Sequence, residues 1–163
     1  MTGAIAVVLV AAVLILSLVQ FSYLILVNDE SNTLLLKVRI SDEEEFSVSY
    51  IHSANRSPVT EFYQVRNGSI VLTALEFATF GAGMPTELEP GQVLVNLPDG
   101  KMRIEGFDRE IEALLYIIGY TTEHTLHVGQ QNVPLTTLDV PGQLIQFNIV
   151  RLNFWQRLTF QLH

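Results

Sequence analysis

The chain has 163 residues, no cysteine and a formal net charge of −8 at pH 7. All 9 Lys and Arg residues and all 17 Asp and Glu residues follow residue 28, so the first 28 residues carry no charge. The lack of cysteine excludes disulfides, zinc–thiolate sites and cysteine nucleophiles. The acidic balance argues against nucleic-acid binding, which requires a basic patch. The charge distribution predicts an anchor followed by one small domain.

Residues 4–27 consist mostly of Ala, Val, Leu and Ile, and they predict a transmembrane helix. Such a helix would be about 36 Å long, against roughly 30 Å of hydrocarbon in a bilayer. A cleaved signal peptide is the alternative, but no basic residue precedes the apolar run and no small-x-small cleavage site follows it. We therefore expect residues 1–28 to be a retained anchor that enters the lipid bilayer through residues 4–27.

The orientation of this anchor is encoded weakly. Lys37 and Arg39 follow it and would favour a cytoplasmic domain, whereas the long apolar segment and the acidic domain behind it favour export. The prediction is a single-pass protein of the cytoplasmic membrane with an extracytoplasmic C-terminal domain. Ser17 and Gln20 share one face of the predicted helix, where they could bind a partner helix. Alternatively, Gln20 stays hydrated near the headgroups.

Residues 29–163 alternate in polarity with a period of two between turn signals, which predicts one all-β domain. The strand spacing favours an antiparallel β-sandwich or a partly open barrel behind the one N-terminal transmembrane helix. Asn67 and Gly68 predict a type I′ hairpin turn. The predicted strands cover residues 33–40, 45–52, 59–66, 69–78, 92–97, 101–105, 111–118, 124–128, 144–152 and 154–162.

The loop at residues 53–58 (SANRSP) is the most informative local feature. If this six-residue loop closes a hairpin, His52 lies opposite Val59 and diagonal to Glu61 on a largely apolar face. A carboxylate on such a face requires a partner. We therefore expect Glu61 to contact either His52 or Arg56.

The contact between His52 and Glu61 has two interpretations. It is either a buried structural clasp or a general base with its orienting group, with Ser53 or Ser57 as the nucleophile. No third catalytic residue stands at a recognisable spacing, so we favour the clasp and predict no catalytic residue and no enzyme.

A second feature is the segment at residues 80–85 (FGAGMP). Gly81 and Gly83 can supply positive φ angles and a row of backbone N–H groups that would hold an anion. The simpler interpretation is a tight bend at a sheet corner. The segment lacks the third glycine of a dinucleotide fingerprint and the Lys-Ser/Thr ending of a phosphate-binding loop.

The histidines give little support for a metal site. His124 and His127 are three residues apart, which on the predicted strand puts them on opposite faces. His163 is the last residue. No metal ion and no cofactor are predicted.

Residues 50–61 (YIHSANRSPVTE) and 80–85 (FGAGMP) together resemble a small family of uncharacterised function whose members are encoded beside, or within, TAXI-type TRAP transporters. The resemblance covers roughly residues 46–150 and includes residues 127–131 (HVGQQ). It implies an extracytoplasmic all-β accessory subunit that docks to the transporter permease, to the extracytoplasmic substrate-binding protein, or to both. The candidate binding or structural residues in these motifs are His52, Ser53, Asn55, Arg56, Pro58, Glu61, Gly81, Gly83 and Pro85.

Two other functions stay open at this point. One is a membrane-tethered hydrolase that uses His52 and Glu61. The other is a sensor that binds a small anion at residues 81–85, with Arg56 or Arg66 nearby.

Overall fold

The computed structural model describes residues 2–54, 56–81, 84–85 and 87–160. Within these ranges, helix α1 (Thr2–Leu18) comes first, eleven strands follow, and helix α2 (Phe154–Thr159) comes last. One 3₁₀ turn, Leu135–Thr137, lies between the last two strands. The strands are β1 (Gln20–Asn28), β2 (Leu34–Arg39), β3 (Glu45–Ile51), β4 (Pro58–Arg66), β5 (Ser69–Phe77), β6 (Val93–Asn96), β7 (Met102–Ile111), β8 (Leu114–Ile117), β9 (Thr125–Val128), β10 (Gln131–Pro134) and β11 (Leu144–Asn153).

The described strands form two antiparallel sheets that share one core. The small sheet has the order β2-β1-β11-β8, and the large sheet has the order β10-β9-β3-β4-β5-β7-β6. Side chains of both sheets meet in the main core, where the ring of Phe46 from β3 stacks on Phe147 from β11 with centroids 6.4 Å apart. The all-β prediction is confirmed, and the two sheets face each other without closing into a barrel.

The apolar N-terminal segment is not one helix, and this part of the sequence prediction is wrong. Helix α1 ends at Leu18, and Gln20–Asn28 forms β1, which pairs with β2 and β11. Residues 24–27 are at most 3% exposed. A strand buried on both faces is a continuous apolar run, and its composition does not distinguish it from a helix in lipid. In the described part of the chain, no helix is long and apolar enough to cross a membrane.

The C-terminal segment also differs from the prediction, because the sequence predicts a strand over residues 154–162. Helix α2 begins there instead, capped by Asn153, whose side chain accepts hydrogen bonds from the backbone N–H groups of Trp155 and Gln156. The Gln156 side chain in turn accepts a hydrogen bond from the backbone N–H of Asn153, which completes a capping box. An Asn followed three residues later by Gln is the sequence signal for this helix start.

The register of the β3–β4 hairpin is shifted by two residues from the prediction. Tyr50, not His52, lies opposite Val59, and Val48 lies opposite Glu61. Because a shift of two residues keeps each side chain on its face, the predicted inward face is correct although the predicted pairs are not. The Asn67-Gly68 turn is confirmed as type I′, since both residues have positive φ angles of 53° and 87°.

Candidate functional site

Glu61 lies among tyrosine hydroxyls where the two sheets meet. Its Oε2 accepts hydrogen bonds from the hydroxyls of Tyr63, at 3.2 Å, and of Tyr116, and these two hydroxyl oxygens are 2.8 Å apart. Tyr63 belongs to β4 of the large sheet and Tyr116 to β8 of the small sheet. The carboxylate–tyrosine cluster, defined by Glu61, Tyr50, Tyr63 and Tyr116, therefore ties the sheets together.

The tyrosines of this cluster keep their protons. Burial raises the pKa of Tyr50, Tyr63 and Tyr116 well above the usual value. For Tyr50 and Tyr63 the next largest cause is the charge of the Glu61 carboxylate, and for Tyr116 it is the neighbouring Tyr63. The hydroxyls therefore act as hydrogen-bond donors to the carboxylate.

The expected contact of Glu61 with His52 or Arg56 is wrong. Glu61 pairs with Val48, four residues before His52, which corresponds to about 13 Å along a strand. The Nδ1 atom of His52 accepts a hydrogen bond of 3.3 Å from the backbone N–H of Ala54. The need for a polar partner at Glu61 was predicted correctly, but tyrosine hydroxyls meet it. The geometry gives the His52–Glu61 hydrolase no support.

The loop after β3 forms one side of an open cleft of about 330 Å³. A second segment borders the cleft at Thr121 and Thr122, and the backbone N–H of Ile51 holds it by donating to the Thr122 carbonyl at 2.7 Å. The predicted motif residues that line the cleft are His52, Ser53 and Arg56.

Arg56 has an unusual backbone conformation in this cleft. Its φ angle is 52°, in the left-handed region, which costs roughly 1–2 kcal/mol for a residue with a Cβ atom. Its backbone N–H donates to the His52 carbonyl at 2.9 Å, which holds the turn. Its side chain is exposed, and the described residues include no carboxylate paired with it. Within the described part of the chain, the cleft therefore presents a positive charge without an acidic partner.

The two sequence motifs are neighbours in the fold. The Thr79 hydroxyl donates to the Ser57 hydroxyl at 3.2 Å, which connects the loop after β3 with the segment after β5. Met84 is buried in a second small core, and its backbone N–H donates to the Gly81 carbonyl at 3.0 Å. This hydrogen bond uses one of the backbone N–H groups that an anion would need.

Pro58 begins β4, and Pro85 lies half-buried beside Met84. Asn55, Gly83 and His163 lie outside the described residues.

Ser17 and Gln20 do not share a helix face. Ser17 lies in the last turn of α1, where its hydroxyl donates to the Val13 carbonyl at 2.8 Å and accepts from the Trp155 indole N–H at 3.1 Å. Gln20 is the first residue of β1 and pairs with Asn153. The hydroxyl of Ser17 therefore bonds within the chain.

His124 packs against the carboxylate–tyrosine cluster. Its ring centroid is 5.1 Å from that of Tyr50 and 5.5 Å from that of Tyr116, and Nδ1 lies 3.0 Å from the Thr122 hydroxyl. Burial lowers the pKa of His124. Burial thus favours the neutral imidazole, and the ring joins the cluster to a residue that lines the cleft.

We expect His124 to make the domain less stable in mild acid. In the unfolded chain its pKa is about 6.5, so below that pH the unfolded state binds more protons than the folded state. The free energy of unfolding is therefore not reduced by His124 above about pH 6.5, and it declines as the pH falls from there through the lower folded-state pKa. The substitution His124→Asn should reduce the slope of the free energy of unfolding against pH in this range. Urea unfolding of both proteins at several pH values measures it, and equal slopes would refute the assignment.

His127 links three strands on the other face of the large sheet. Its Nε2 lies 2.7 Å from the Ser49 hydroxyl, and its Nδ1 lies 2.7 Å from the Asn132 side-chain oxygen. Ser49, His127 and Asn132 thus follow one another like the nucleophile, the general base and the orienting group of a catalytic triad. However, Ser49 pairs with Thr60 and Thr125 on both sides, so its strand neighbours use the backbone donors that an oxyanion would require. We interpret the group as a link between β3, β9 and β10.

No group of three or more metal-ligating side chains occurs in the part of the chain that the structure describes. His124 precedes β9, His127 lies within it, and the two have the separate partners given above.

The fold and the site define an all-β domain of two facing antiparallel sheets, joined by a carboxylate–tyrosine cluster and preceded by an apolar helix. The chain belongs to the family described as Domain of unknown function (DUF1850), whose model matches residues 46–135. The match includes the cleft and the whole cluster. No curated protein and no solved structure matches the chain. The predicted membership of an uncharacterised family is confirmed, whereas the match shows no link to TAXI-type TRAP transporters.

Proposed function

We propose that this protein is a membrane-anchored accessory subunit of a TAXI-type TRAP transporter. The observation that carries the membrane part is the surface of α1. A helix that is apolar on all sides is found in a protein core or in a membrane. The large apolar side chains of α1 are instead 38–78% exposed, namely Ile5, Val7, Val8, Leu9, Val10, Val13, Leu14, Ile15, Leu16 and Leu18.

The helix is embedded in the cytoplasmic membrane in this proposal, and the β-domain lies on the extracytoplasmic side. At 17 residues, α1 is about 26 Å long, somewhat less than the roughly 30 Å of a hydrocarbon core. Its contacts with the domain are at its C-terminal end, where the Asn153 side chain donates to the Ser17 carbonyl at 3.2 Å. The rest of the helix is free to lie in lipid.

The transporter part rests on the resemblance of residues 50–61 and 80–85 to proteins encoded with TAXI-type TRAP transporters. The β-domain docks to the permease, to the substrate-binding protein, or to both. Since all the charge of −8 follows residue 28, the domain attracts a basic partner surface, and this attraction weakens with salt.

Co-purification tests this function. The tagged full-length chain is expressed with the TAXI-type permease and binding protein of the same genome and extracted in mild detergent. We expect the permease to accompany the wild-type chain. The variant Leu9→Lys/Leu14→Lys should leave the membrane fraction, because lysine in the middle of a lipid-embedded helix is costly. If the wild-type chain is extracted from the membrane without the permease and without the binding protein, the transporter part is refuted.

The cleft favours a second candidate function, a sensor of small carboxylates or phosphates. The observation that carries it is the Arg56 side chain, which pairs with no carboxylate among the described residues and is held at the cleft by a strained turn. This location differs from the predicted anion site at residues 81–85, which includes residues 82 and 83 outside the described part of the chain.

Thermal unfolding with a panel of carboxylates and inorganic phosphate tests this second function. A ligand at a hundred times its Kd would stabilise the fold by about 2.7 kcal/mol. The effect should disappear in Arg56→Gln and persist in Arg109→Gln, which removes an exposed arginine of β7. The absence of any shift across the panel would contradict this function.

A further inference from the structure

Three cationic side chains lie among aromatic rings next to the end of α1. We call Lys37 and Arg39 of β2 and Arg157 of α2 the basic collar. The Lys37 Nζ lies 5.7 Å from the centroid of the Tyr23 ring and 5.5 Å from that of the Phe160 ring. The Arg39 guanidinium carbon lies 4.6 Å from the centroid of the Phe21 ring. The collar and its rings thus form one continuous patch.

Helix α2 holds the third cation in place. The Arg157 guanidinium carbon lies 4.5 Å from the Phe154 ring centroid and 5.9 Å from that of Phe21. The Lys37 ammonium group donates to the Arg157 backbone carbonyl at 3.4 Å, which connects β2 with α2. The hydrogen bond from the Trp155 indole to Ser17 fixes α2 against α1. The patch therefore lies where the exposed apolar helix meets the domain.

Although the chain is acidic overall, the collar groups three cations that have no acidic partner among the described residues. Elsewhere, Arg66, Lys101, Arg103 and Arg151 each form an ion pair. None of the three collar cations forms an ion pair within the described residues. Their charges remain available to an anionic partner.

We propose that the basic collar binds the anionic phospholipid headgroups of the bilayer that holds α1, which rests on the membrane part of the proposed function. Aromatic rings such as those of Trp155 and Tyr23 are enriched at headgroup level, next to the hydrocarbon. Basic side chains beside an anionic leaflet each strengthen binding, by about fivefold per charge. Lys37 and Arg39 thereby act as headgroup ligands. Their positive charges then do not require the domain to lie on the cytoplasmic side.

Vesicle flotation of the full-length chain tests the collar. The protein is transferred from detergent to vesicles of phosphatidylcholine, with or without phosphatidylglycerol. We expect binding at least tenfold stronger to the vesicles that contain phosphatidylglycerol, with an advantage that declines as salt is added. The variant Lys37→Gln/Arg157→Gln should lose most of this advantage while still binding neutral vesicles through α1.

The matched control is Arg66→Gln/Arg109→Gln, which also removes two positive charges, but from the large sheet. Urea unfolding of both variants establishes that each is folded. The proposal is supported if the control variant keeps the stronger binding to vesicles with phosphatidylglycerol and the collar variant loses it. Equal wild-type binding to both vesicles, or an equal loss in both variants, would overturn the collar and leave the embedding of α1 intact. Binding to neither kind of vesicle would overturn both proposals.

Discussion

A chain that begins at Asp29 is expected not to fold, whereas a chain that begins at Val19 should fold. The first truncation removes β1, which lies between β2 and β11 in the small sheet. Residues 24–27 are at most 3% exposed, and burial of each such side chain contributes about 1.5–3 kcal/mol. Four of them together contribute roughly 6–12 kcal/mol, which is comparable with the roughly 5–15 kcal/mol of a whole domain.

Circular dichroism and urea unfolding of the two truncated chains measure this effect. The chain from Val19 serves as the control, because it lacks α1 but retains every strand. It should give a β-type spectrum and a cooperative transition, and the chain from Asp29 should give neither. Equal transitions in the two chains would mean that β1 is not part of the fold, and that the whole apolar segment acts as an anchor.

The substitution Glu61→Ala is expected to lower the free energy of unfolding by about 3 kcal/mol. It removes an acceptor that binds the hydroxyls of Tyr63 and Tyr116, and hydrogen bonds to a charged group contribute about 1.5–3 kcal/mol each. The matched control is Glu45→Ala, on the exposed start of β3, which should change stability by less than about 0.5 kcal/mol.

A double-mutant cycle then isolates the contact between the sheets. Tyr116→Phe removes one hydroxyl and leaves the ring. If Glu61 and Tyr116 interact directly, the two substitutions together should cost less than their sum, with a coupling of about 0.5–3 kcal/mol from urea unfolding. Additive effects would show that the cluster does not join the sheets energetically.

Most strands could be predicted because local sequence signals mark where they begin and end. The Asn67-Gly68 turn, for example, fixes the end of β4 and the start of β5 within the chain itself. Strand β1 could not be predicted in this way, since it is apolar on both faces and follows an apolar helix with only Val19 between them. Helix α2 is too short for a periodic pattern, and its signal is the pair Asn153 and Gln156.

The candidate site was only partly predictable for a different reason. Alternation along β4 indicates that Glu61 points inward and needs a polar partner, which is a local inference. The partner Tyr116 is 55 residues further along the chain, on the opposite sheet. A polarity pattern does not state which distant strands face each other, so His52 and Arg56 were the nearest candidates. The cleft depends on the same long-range packing.

The direct passage from α1 into β1 has a mechanical consequence. Val19 alone separates the two elements, and its backbone N–H still donates to the Ile15 carbonyl at 3.0 Å, as in a helix. With no flexible linker, a tilt or rotation of the helix is transmitted as a torque to an inner strand of the small sheet. If α1 is embedded in the bilayer as proposed, changes in bilayer thickness or in a neighbouring helix would reorient the whole domain, together with the cleft that it carries.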